Sequence, residues 1–156
     1  MKNFWLFLFS SLFIGVNSFA INRDSILAIT QTNIPDSEKI ANLKTLAITS
    51  ETIEEFYLYQ RKAISLAEKT QNTSAITELK ISEGNFYFDR QQDDKGMQVF
   101  LDEIRAAESK KDSASLSRLN YSVGVYYFYR FDIDNAVKFV SASVETYPSS
   151  EPIIGK

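Results

Sequence analysis

From Asp24 onward, apolar residues recur at helical spacing. Ile53, Phe56, Tyr57, Ala63, Ile64 and Ala67 fall at offsets of 0, 3, 4, 10, 11 and 14 residues. Met97, Phe100, Leu101, Ile104 and Ala107 fall at 0, 3, 4, 7 and 10. Ile133, Ala136, Val137, Val140 and Val144 fall at 0, 3, 4, 7 and 11. Each set is one stripe of an amphipathic helix. No stretch alternates apolar and polar residues between hairpin turns, as a half-buried strand would. The run Tyr126-Tyr127-Phe128-Tyr129 has β-propensity but lies inside a longer helical pattern and is read as helix. Short polar or mixed breaks separate the stripes, at Gln71-Asn72-Thr73-Ser74, Gln91-Gln92-Asp93-Asp94, Lys110-Lys111-Asp112-Ser113 and Phe131-Asp132-Ile133-Asp134. Pro35-Asp36-Ser37-Glu38 and Thr49-Ser50-Glu51 supply helix starts, and Pro148 a stop. The pattern predicts an all-α chain with helices near 23–31, 36–48, 51–70, 74–91, 93–110, 113–131 and 133–147.

The first twenty residues have a different organisation. Lys2 precedes an apolar run from Phe4 to Val16, and Ser18-Phe19-Ala20 then puts small residues third and first before a cut. This order of parts predicts a cleavable signal peptide over 1–20 and an exported protein. The run is short of the roughly 20 apolar residues that a spanning helix needs, which argues against an uncleaved anchor. The rest divides into an N-terminal helix and linker over 21–35, helical pairs over 36–148 and a C-terminal tail over 149–156. No membrane span is expected in the mature chain.

The chain matches itself at an offset of 40 residues. Gly84 meets Gly124, Tyr87 meets Tyr127, Phe88 meets Phe128 and Arg90 meets Arg130. Leu79 meets Leu119, Ile64 meets Ile104 and Ala67 meets Ala107. Self-similarity at a fixed period marks a repeat architecture. The unit is a pair of antiparallel helices, A then B, that cannot bury its stripes alone and must stack on its neighbours.

The segment Ser117–Pro148 resembles a tetratricopeptide repeat (TPR). That pattern has a small residue in helix A, an aromatic three residues on, a small residue opening helix B and a terminal Pro. Gly124, Tyr127, Ala136 and Pro148 stand at those places. Over Thr77–Glu108 the match is Gly84 and Tyr87, with Gly96 where Ala is usual and Glu108 where Pro is usual. Over Ser37–Glu68 it is weakest, since Lys44 replaces the small residue. HEAT-like repeats share the length but not this pattern. The 40-residue spacing is similar to that of a longer TPR subclass. The resemblance implies a TPR-like α-solenoid. Following a signal peptide, it also looks like the exported N-terminal region of bacterial sensor and regulatory proteins. That likeness leaves open an extracytoplasmic sensory front end continuing into a membrane-anchored two-component or transcriptional signalling protein.

Composition narrows the chemistry. There is no His and no Cys among the 156 residues, which excludes disulfides, thiolate or imidazole metal sites, Cys nucleophiles and His-dependent triads. No Gly-rich phosphate loop or Ser nucleophile elbow is present. Asp132, Asp134 and Asn135 lack the central Gly and final Glu of a calcium loop and read as a helix-capping turn. A net charge of −3 leaves the Tyr/Phe cluster at 121–131 without the positive groove that nucleic acid requires. No enzyme activity, cofactor or metal is expected.

The expected function is therefore protein or peptide binding. By correspondence, the resemblance implies a concave wall of Ile81, Asn85, Phe88 and Asp89 from one A helix. Arg118, Tyr121, Val125, Phe128 and Tyr129 would come from the next. Asn85 stands at one place of the family's carboxylate clamp, but Ile81 stands where its Lys is expected, so capture of a C-terminal carboxylate is not implied. A spacer with no ligand is the remaining reading.

Overall fold

The computed structural model describes residues 22–147. The signal-peptide reading, Pro148 and the tail over 149–156 lie outside the described residues. Those residues form seven helices and no strand: α1 (Arg23–Thr30), α2 (Asp36–Ile48), α3 (Ile53–Lys69), α4 (Thr73–Asp89), α5 (Asp93–Lys110), α6 (Ser113–Tyr129) and α7 (Ile133–Thr146). The predicted helices are all present, with ends displaced by at most two residues. The aromatic run at 126–129 is helical, as its surroundings required.

One turn recurs four times. Gln71, Gln91, Lys111 and Phe131 stand twenty residues apart, each in the left-handed region with φ between 53° and 60°. The N–H of the following residue bonds back to the carbonyl five residues earlier: Asn72 to Ala67, Gln92 to Tyr87, Asp112 to Ala107 and Asp132 to Tyr127, at 2.8–3.0 Å. This Schellman arrangement satisfies carbonyls that a helix end leaves open. That following residue then serves as N-cap of the next helix. Asn72, Asp112 and Asp132 accept from the N–H of Ala75, Ser115 and Asn135. Gln92 makes no such side-chain bond. One two-residue device thus closes a helix and opens its successor at each step.

Each helix packs on the next along the chain. Contacts between helices two apart occur for α2 with α4 and α4 with α6, and not for α3 with α5 or α5 with α7. The first core cluster lies among α2, α3 and α4, where Leu46, Phe56 and Leu79 are fully enclosed. Phe56 stacks on Phe86 with ring centres 3.9 Å apart. The second lies among α4, α5 and α6 around Phe100, Leu119 and Val123. Each fully buried side chain of this size stabilises the fold by roughly 1.5–3 kcal/mol relative to exposure.

The glycines at the 40-residue offset sit at helix crossings. A Cβ on Gly96 would lie 2.9 Å from the Gly84 carbonyl oxygen and against the Phe88 ring. A Cβ on Gly124 would lie 3.2 Å from the Ala136 carbonyl oxygen. Gly96 and Ala136 are equivalent by the offset, so the α4/α5 and α6/α7 crossings bring the same two repeat positions together. Tyr127 stacks on Phe139 of α7, ring centres 5.6 Å apart, and is half-buried.

At the N-terminal end, α1 covers α2. Ile26 and Leu27 pack on the first cluster. Arg23 donates to the Leu46 carbonyl and the Thr49 hydroxyl and pairs with Glu55.

Candidate functional site

Helices α4 and α6 lie side by side and are tied at both ends. Near their N-termini the hydroxyls of Thr77 and Ser115 share a buried hydrogen bond of 2.7 Å. Near their C-termini Phe88 stacks on Tyr126, with ring centres 3.8 Å apart and planes 20° from parallel. Both ties link residues 38 apart in sequence.

Around the second tie lies a groove of about 580 Å³. Asn85 and Asp89, one helical turn apart on α4, form one wall. Tyr121, Ser122, Val125 and Tyr129 of α6 form the other, at helical spacing on one face. The stacked Phe88 and Tyr126 make the floor. Tyr121 is 58% exposed and Tyr129 74% exposed. Arg130 closes one end, donating to both carboxylate oxygens of Asp93 on α5. Burial pushes the Tyr126 hydroxyl above its ordinary pKa, and the Asp93 carboxylate adds to the shift.

A second groove, of about 570 Å³, opens between α6 and α7. Phe128 lies on its α6 side, and Ile133, Val137 and Val140 line its α7 side. Tyr121, Val125 and Tyr129 border both grooves.

Of the nine expected wall residues, Asn85, Phe88, Asp89, Tyr121, Val125 and Tyr129 line the first groove. Phe128 lines the second instead. Ile81 is half-buried and packs against the second core cluster. It lines neither groove as described. Arg118 lines neither groove as described and donates to the Ser74 hydroxyl at the start of α4. Tyr126, Ser122 and Arg130 were missed. Arg130 had a visible signal in its match with Arg90, which donates to the Ser50 carbonyl 40 residues earlier at 2.8 Å. In both units an Arg just past helix A reaches back to the start of the preceding B helix.

Away from the grooves, Tyr57 of α3 donates to Glu83 Oε1 at 2.9 Å and meets the Tyr87 hydroxyl at 2.6 Å. Glu83 also pairs with Lys80 at 3.2 Å and is almost fully buried. Burial first, and then the hydrogen bonds to Tyr87 and Glu83, push the Tyr57 hydroxyl far above its ordinary pKa.

The first groove offers ring faces, one carboxamide and one carboxylate to a ligand. Among the described residues, no helix is long and apolar enough to cross a membrane. Comparison with protein-family models, with curated proteins and with solved structures finds no match to this chain.

Proposed function

We propose that the protein is an exported, TPR-like helical-repeat module that binds a peptide or protein segment in the α4/α6 groove, by contact alone. The supporting observation is the pair Tyr121 and Tyr129. Two large rings stand exposed on one face of α6, opposite the polar pair Asn85 and Asp89. Exposed aromatics beside fixed polar groups are the residue types that dominate binding surfaces. The row of contacts α2–α4–α6, without its counterpart among α3, α5 and α7, supports a solenoid curved toward the A helices. Such curvature would put this groove on the concave side. The export half of the reading rests on the segment 1–20.

The test pairs circular dichroism with affinity capture from extracts of the source cells. Tyr121→Ala with Tyr129→Ala should leave helicity unchanged, because both rings are largely in solvent, and should reduce captured protein at least tenfold. Undiminished capture would remove the groove from the binding site. Collapse of helicity would make the two rings structural.

A further inference from the structure

Helix α7 is the equivalent of α5 one repeat along, and among the described residues it lacks what covers α5. On α5, Phe100 is 0% and Ile104 9% exposed, because Leu119 and Val123 of α6 pack over them. Their counterparts forty residues on, Val140 and Val144, are 37% and 70% exposed. Met97 packs against the second core cluster, whereas Val137 is 60% exposed. Phe88 lies under the Tyr126 ring, whereas Phe128 is 60% exposed. The N-terminal end of the stack has its cover in α1; the α7 end, among the described residues, has none.

We infer that this face closes on the same face of a second copy of the chain, α7 against α7 about a two-fold axis. The open stripe Ile133, Val137, Val140 and Val144 has offsets of 0, 4, 7 and 11, the alternating four-and-three spacing by which two helices interlock along a seam. It has no charged member, so its complement must also be apolar. A second α7 supplies such a stripe, and two-fold symmetry makes one patch complementary to itself. The area suffices. At 150–250 Å² per fully buried aromatic, the exposed parts of Phe128 and Phe131 offer on the order of 300 Å². The four aliphatic residues roughly double that, to about 600 Å² per partner, which over two partners is above the roughly 1,000 Å² in total that a specific interface needs. Phe131, 88% exposed at the foot of α7, extends the same apolar edge.

This surface is separate from the α4 wall of the first groove, and its test uses residues that do not line that groove. Sedimentation equilibrium of the full mature chain should give twice the chain mass. Val137→Asp with Val144→Asp, which place four carboxylates in the seam, should return it to the single mass with unchanged helicity. The conservative pair Val137→Leu with Val144→Leu should keep the dimer. If the Asp pair costs helicity, Phe128→Ser, across the same groove on α6, makes the same test. A wild-type chain that stays at single mass at its highest soluble concentration overturns the inference. So does a dimer that persists in the folded Asp variant.

Discussion

Gly124 faces Val140 so closely that a Cβ on the glycine would stand 2.7 Å from Val140 Cγ2. Gly84 faces Phe100, forty residues earlier in both members, and a Cβ there would meet Phe100 Cε2 more closely still. The two contacts differ in what surrounds them. Val140 is 37% exposed and can yield toward solvent; Phe100 is fully enclosed and cannot.

Gly124→Leu should therefore destabilise the protein by roughly 2 kcal/mol, within the range for overpacking a close contact. Gly84→Leu should cost more, because the Phe100 ring has nowhere to move. Thermal unfolding of the two variants measures the order. Equal melting temperatures for Gly124→Leu and wild type would remove the glycine from the crossing.

Phe131 holds a left-handed backbone at φ 60° while its ring lies in solvent. That conformation costs a residue with a Cβ about 1–2 kcal/mol, and glycine is free of the penalty. Phe131→Gly should raise stability by about 1 kcal/mol, since the exposed ring contributes little packing to the single chain. Chemical denaturation of dilute protein would read this directly. A fall in the unfolding midpoint would show that the ring is held by contacts within the chain.

Stability should fall as pH rises beyond the ordinary tyrosine range. The folded-state pKa values of Tyr57 and Tyr126 are raised, mainly by burial. Above about pH 10 the unfolded chain then loses these protons while the folded chain retains them, which favours unfolding. The contribution is complete below the unfolded pKa and is lost as pH rises through the folded value. Tyr57→Phe should flatten this alkaline fall. At the acid end the sign reverses for Asp112, whose pKa is lowered chiefly by the Ser115 N–H at the start of α6. Its contribution is present above the ordinary carboxylate pKa and is lost as pH drops through the folded value. Melting temperatures across pH 2–11, for wild type and Tyr57→Phe, decide both signs. An alkaline limb as steep in the variant as in wild type would detach it from Tyr57.

The helix count, the breaks and the repeat were legible because they are local. A stripe such as Ile133–Val144 is written at fixed offsets within one helix, and Asp112 or Asp132 announces a start through its own side chain. The glycine echo at 84 and 124 falls where helices pass close to one another. The turns were legible as breaks, but their left-handed residues were not. Gln71, Gln91, Lys111 and Phe131 are not the residues that usually mark that conformation. The hydrogen bonds of the recurring turn hold them there.

Only the tertiary structure decided which aromatics are covered. Tyr126 and Tyr129 have the same side chain, three residues apart on one helix; one lies on Phe88 and the other is 74% exposed. Of the residues expected on one concave wall, Ile81 is half-buried against the second core cluster, and Phe128 lines the groove between α6 and α7. Periodicity fixes the direction of a side chain relative to its own helix. Its covering depends on which other helix crosses there, a contact between residues some forty positions apart whose partner no local pattern names.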